Sequence, residues 1–169
     1  MAIFFRALRL LSLTVWVGGL VFFAFILAPM AFSTLSTPRE AGMIVGGTLR
    51  VLNTVGNTSG FLFLIATIAL WFRTEPRSRR LLPIEFLLVV VMMFATGVVQ
   101  RGIVPAMERD RIAAGGDIGA APAGNAARRH FERLHSLSEK VEGAALLLGI
   151  ATIILMAAER GEHRRAPAG

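Results

Sequence analysis

Four runs of about twenty apolar residues, each long enough to cross a bilayer, dominate this chain. Leu10 to Phe32 and Val51 to Phe72 contain no charge, Leu81 to Gln100 contains only Glu85, and Val141 to Ala158 only Glu142. At 1.5 Å per residue such a run covers roughly 30 Å, the thickness of the hydrocarbon core. The sequence therefore predicts an all-α, integral membrane four-helix transmembrane bundle in one domain, residues 1–169. Its spans are expected at about 10–32, 51–72, 82–104 and 138–158, with a flexible loop at about 113–124 and a disordered basic tail at about 161–169. Composition agrees: 54% of the residues are hydrophobic and the mean hydropathy is +0.64, more apolar surface than a water-soluble domain of 169 residues buries. The first run is too long for the apolar region of a secretory signal, and Pro29-Met30-Ala31 is not a small-x-small cleavage site, so it is read as a span.

Charge sets the expected orientation. The segment FRTEPRSRRLLP between the second and third runs holds Arg73, Arg77, Arg79 and Arg80 against Glu75, which places it on the cytoplasmic side. With four spans, Arg6 and Arg9 at one terminus and Arg160, Arg164 and Arg165 at the other fall on that same side, giving N-in/C-in in the cell inner membrane. The net charge of +7 is spread over span ends rather than gathered in one stripe, so nucleic acid is not an expected partner; the lipid bilayer is. Cysteine is absent, which removes disulfides and thiolate chemistry.

Helix starts are legible. Thr37-Pro38-Arg39-Glu40 reads as a capping box with proline in the first turn, and Asn125 as the cap of the fourth helix. Pro83 and Glu85 read as the first turn of the third helix, with Glu85 at the positive end of the dipole. Helices two and four are then about 35 residues long, roughly 50 Å, and extend on the outer side. Pro29 is expected to kink or end helix one. No internal repeat is clear enough in the residue types to argue from.

Polar residues of three helices fall at one depth in the outer half: Asn53 and Asn57 on helix two, Gln100 and Arg101 on helix three, and His135, Ser138 and Glu142 on helix four. Gly46, Arg50, Asn53, Asn57 and Gly60 keep helical spacing, as do Phe131, His135, Ser138, Glu142 and Gly149, so each set forms a stripe. An ionisable group among lipid tails is costly, so the stripes should face each other, and Glu142 should pair with Arg101 or Arg50. The residues serve either as interhelical ties or as a site for a small solute, ion or lipid. Gly56 and Gly60 make a GxxxG spacing through which copies of the chain could associate. The helix extensions, Pro38 to Arg50 and Ala127 to Lys140, could instead dock an unknown protein partner.

No catalytic or metal motif is present: no G-x-S-x-G, no phosphate loop, no H-E-x-x-H. An enzyme is not expected, nor a cofactor. His130 and His135 lie five apart, about 140° around a helix, which is the wrong spacing for a metal pair on one helical face.

Taken together, VWVGGLVFFAFILAPMAF in span one, LNTVGNTSGF in span two, Gln100 to Pro105 and FERLHSLSEKVEG resemble the transmembrane-protein-205-like family, in bacteria a domain of unknown function (DUF4149). The likeness covers nearly the whole chain and includes the F-x-x-x-H-x-x-S element, here Phe131, His135 and Ser138. It implies a four-helix membrane protein without an established activity. Where such proteins often carry a small polar residue after that element, this chain has Glu142. A second likeness, to copper-resistance D and protoporphyrinogen-oxidase type membrane proteins, implies the least favoured alternative, a haem-b redox protein with His135 and Met92 or Met93 as ligands.

Overall fold

The computed structural model describes residues 1–75 and 79–165, with side chains as far as residue 158. Four helices run alternately up and down: α1 Ala2–Thr34, α2 Pro38–Trp71, α3 Leu82–Ala113 and α4 Ala126–Arg165. Each packs along its sequence neighbours, and α1 closes the ring against α4, so α1 faces α3 and α2 faces α4 across the bundle. One end carries the N-terminus and the arginine-rich 72–81 connection and is called the basic end below; the other carries the 35–37 and 114–125 connections.

The helices begin and stop for local reasons. The Thr37 hydroxyl accepts the Glu40 N–H at 3.2 Å with Pro38 in the first turn, and Asn125 Oδ1 accepts the Arg128 N–H at 3.1 Å. Both expected caps are thus present. α3 ends where Gly116 N–H bonds back to Arg111 and Gly115 N–H to Ile112, which requires φ near +90° at both residues, a region that favours glycine. Asp117 Oδ1 then accepts the Gly119 N–H at 2.9 Å, and the rest of the connection is a series of turns.

Of the two outcomes expected at Pro29, a kink or an end, the end does not occur. A wide π-type turn, Phe23–Leu27, precedes the proline, with the Ala28 N–H reaching back to Phe23, and the helix continues to Thr34. The extra residue in that turn moves the carbonyl that the proline ring would otherwise strike. The same device recurs at Val99–Ile103 before Pro105, which is why α3 continues to Ala113 instead of ending near residue 104.

Within the apolar windows only 22–39% of residues are buried inside the bundle, while Phe25, Phe61, Phe94, Leu147 and Ile154 point outward, each more than half exposed. A water-soluble protein does not present such a continuous apolar surface; four helices clad in this way are covered by lipid. The interior is small and dense: Leu13, Trp16, Val17, Leu20, Phe63, Val89, Met92, Ala145 and Met156 form one cluster.

The two hairpins, α1–α2 and α3–α4, repeat each other. A shift of 76 residues carries Arg9 onto its own partner Glu85. The same shift carries Leu13 onto Val89, Trp16 onto Met92 and Leu20 onto Thr96, all buried, and each π turn and proline onto the other. A shift of 89 residues carries Asn53 onto its partner Glu142. It also carries buried Gly56 onto Ala145, Gly60 onto Gly149 and Phe63 onto Thr152. The contacts match as well as the registers. A Cβ on Gly60 would meet Trp16 at 2.7 Å and Met93 at 2.8 Å; one on Gly149 would meet Val17 at 2.5 Å and Met92 at 3.1 Å, and those neighbours are themselves equivalents. The pattern is that of two hairpins related by an approximate two-fold axis running along the bundle.

Candidate functional site

Two polar pairs lie on that internal axis, one toward each end of the bundle. Toward the basic end, the Arg9 guanidinium donates to the Glu85 carboxylate, and both side chains are sealed from the surroundings, at 2% and 0% exposure. Arg9 also lies over the Phe63 ring, 4.9 Å from its centroid. This corrects the reading of Glu85 as a capping residue: α3 has no side-chain cap bond, and the carboxylate turns into the bundle on the stripe of Val89 and Met92. It corrects Arg9 too, which is not an interfacial charge. A buried guanidinium needs an acid, and the only low-cost place for both is the axis.

Toward the connection end the second pair joins α2 to α4. Asn53 Nδ2 donates to Glu142 Oε1 at 3.0 Å. Asn57 Nδ2 donates to the Asn53 carbonyl at 2.9 Å and reaches the Thr96 hydroxyl at 3.4 Å; Thr96 itself donates to the Met92 carbonyl at 3.0 Å. Asn53 and Thr96 are fully buried, whereas Asn57 and Glu142 are half-buried. Two oxygens of the pair, Asn53 Oδ1 and Glu142 Oε2, are buried without a hydrogen-bond partner among the described residues.

Between the pairs lies an apolar plug. Ten residues of α2 separate Asn53 from Phe63, about 15 Å, and that interval is filled by Trp16, Met92 and Gly149 with their neighbours. Gly56 and Gly60 belong to it: a Cβ on Gly56 would sit 2.3 Å from Trp16 Nε1. These glycines admit the indole rather than a second copy of the chain, so the expected association of copies through Gly56 and Gly60 is not what that face is used for. The Trp16 Nε1–H is likewise buried with no acceptor among the described residues.

Of the seven residues the sequence singled out, the structure brings together Asn53, Asn57 and Glu142. Ser138 is buried nearby but donates to the His135 carbonyl of its own helix at 2.8 Å. Gln100 reaches the Thr54 hydroxyl at 3.4 Å, off the axis. Arg101 and Arg50 are exposed, and neither lies within ion-pair distance of Glu142, so the expected arginine partner is replaced by the Asn53 amide. His135 is also exposed; it stacks on Phe131 and lies 3.3 Å from Glu139. Met92 packs at Gly149, fourteen residues or about 21 Å along α4 from His135, so the two are not brought together as haem ligands. Thr96 and the Arg9–Glu85 pairing escaped the sequence reading, although each continues an i, i+3, i+4 stripe that the sequence displays.

Residues 11–112, well over half of the chain, match the model of a family described as a domain of unknown function (DUF4149). Neither a curated protein nor a solved structure matches the chain.

Proposed function

We propose, from the premise that the chain belongs to the DUF4149 family of unknown function, that it is a binding protein rather than an enzyme, taking a small cation or hydrogen-bond-donating solute at Asn53 and Glu142. The observation that carries this is the pair of buried, unpartnered oxygens, Asn53 Oδ1 and Glu142 Oε2. An acceptor buried without a donor is costly, and one on each of two groups already joined by a hydrogen bond asks for a donor or a positive charge there. Asn57, bonded to the Asn53 backbone carbonyl and within reach of Thr96, continues the polar layer, and we extend the reading to Gln100, Arg101, His135 and Ser138 as its outlying members.

The positive-inside rule puts the arginine-rich end in the cytoplasm, so the site opens to the outer half of the inner membrane. The Trp16–Met92 plug then separates it from the cytoplasmic side, as a resting state closed on one side requires. Kinship with the transmembrane-protein-205-like group belongs to the same reading. In purified full-length protein, calorimetry with sodium, ammonium and methylammonium should show binding that Glu142→Ala and Asn53→Ala abolish and Arg101→Ala leaves within a few-fold. Binding unchanged in Glu142→Ala sinks the reading.

A second reading, docking of another protein on the extension Pro38 to Arg50, is favoured by Met43 and Ile44, which are 56% and 50% exposed beyond the 51–72 run. Crosslinking from position 43 that recovers lipid and no protein neighbour would count against it.

A further inference from the structure

The two unpartnered oxygens belong to groups whose chemistry is complementary. A primary amide and a carboxylic acid pair through two bonds, N–H to one acid oxygen and acid O–H to the amide oxygen. The first bond is present, from Asn53 Nδ2 to Glu142 Oε1 at 3.0 Å. The atoms that would make the second are Glu142 Oε2 and Asn53 Oδ1, both buried and both lacking a donor. A proton on Oε2, donated across to Oδ1, would give both oxygens a partner without a further ligand. We infer that the ligand of this site is the proton: Glu142 is held as a neutral acid in a cyclic pair with Asn53, and loads and releases that proton toward the connection end. The inference rests on the binding reading above and narrows its small cation to the smallest one.

The surroundings suit a neutral pair. From α1 the axis presents Trp16 and Leu20, and the nearest α1 cation, Arg9, is committed to Glu85 at the other end. α2 presents Asn57, with Arg50 outside; α3 presents Thr96, with Arg101 outside; on α4 the flanking His135, Glu139 and Lys140 are all exposed. Among the described residues no cation faces Glu142 to hold it as a carboxylate, in contrast with Glu85. The internal axis adds a constraint of its own. Asn53 and Glu142 occupy equivalent places in the two hairpins, so the pair makes the same ring whichever hairpin supplies the acid. Two amides there would need no proton, and an amide with an acid needs one. The loading step is balanced: one proton moves from the outer aqueous phase to Glu142 Oε2, the carboxylate is neutralised, and the reverse step returns it.

Infrared difference spectroscopy of the full-length protein in lipid vesicles at neutral pH tests this. The wild type should show a protonated-carboxyl C=O stretch that shifts in D2O, vanishes in Glu142→Gln and moves to higher frequency in Asn53→Leu. Gln at 142 can pair with the Asn53 amide unaided, so that variant should fold, and the Asn53→Leu shift reports independently of it. A Glu142→Gln difference spectrum that lacks the acid band and shows carboxylate bands overturns the proton assignment. Should sodium or ammonium binding then still depend on Glu142, the broader binding reading stands without it. If that binding too is indifferent to Glu142, both fall.

Discussion

Removing Glu85 should be among the most damaging single changes this bundle can suffer. Its carboxylate and the Arg9 guanidinium are sealed at 0% and 2% exposure, so neither solvent nor salt screens the pair. Breaking a buried pair by deleting one partner typically costs about 3–5 kcal/mol, because the remaining charge is left without compensation. The Phe63 ring, 4.9 Å from the guanidinium carbon, stays in place in Glu85→Ala and so does not offset the loss. Replacing both residues, Arg9→Leu with Glu85→Leu, removes the stranded charge and should return stability to the wild-type level, or raise it by about 1–4 kcal/mol. The internal axis adds a sharper expectation. Exchanging the charges, Arg9→Glu with Glu85→Arg, sets each group in the equivalent place of the other hairpin and should rebuild the pair. The exchanged arginine would face Thr152, the equivalent of Phe63, and should lack the aromatic contact, worth about 0.5–2 kcal/mol. Reversible unfolding in mild-detergent micelles, followed by denaturant titration and thermal melts, measures all four proteins. A cost below about 1 kcal/mol for Glu85→Ala, the scale of an exposed pair, would refute the burial argument. An exchanged protein no better than the single variant would refute the axis.

Further expectations follow from the same packing. Gly56→Ala drives a methyl into the Trp16 indole, where the ideal Cβ lies 2.3 Å from Nε1, and should cost about 1–3 kcal/mol; Gly18→Ala, with nothing within 4 Å, should be neutral in the same melts. Asn53→Glu combined with Glu142→Asn should retain the acid band in infrared spectra, since either hairpin can supply the acid; a bare carboxylate there would contradict it. Thr37→Ala deletes the acceptor of the Glu40 N–H and should lower stability by about 0.5–2 kcal/mol, with Thr37→Ser close to wild type; equal melts for all three proteins would show the cap to be inert.

The spans and caps were legible because they depend on local rules: a run of apolar residues long enough for a bilayer, a threonine before Pro38, an asparagine before a helix. The convergence of Asn53 with Glu142 was legible as well, since both sit on polar stripes that lipid would penalise. The partner was misread for a physical reason. Arg50 and Arg101 have long side chains whose charge is held more cheaply at the bundle surface near the interface than in its core, while an amide already in the core satisfies one carboxylate oxygen. Glu85 was misread because the first turn of a helix suits an acid whether it caps or turns inward, and only the facing of the stripe decides. Pro29 spoke for a kink or an end of its helix, yet it is absorbed, like Pro105, by a π turn that the residue types do not announce.

The repeat was invisible for a more instructive reason. Its equivalent positions hold opposite or unlike chemistry: arginine against glutamate, tryptophan against methionine, asparagine against glutamate, phenylalanine against threonine. Identity is lost where burial and close approach are kept, as in Gly60 and Gly149, each of which faces one residue of its own hairpin and one of the other. On an axis this divergence is imposed by the physics. A residue there meets its own equivalent, so two copies of arginine would repel and two carboxylates would leave charge stranded, whereas arginine with glutamate, or an amide with an acid, completes the contact. The Arg9–Glu85 pair completes it with two opposite full charges and is therefore locked. The Asn53–Glu142 pair completes it only when a proton arrives, which makes the contact nearer the connection end the one that can be switched.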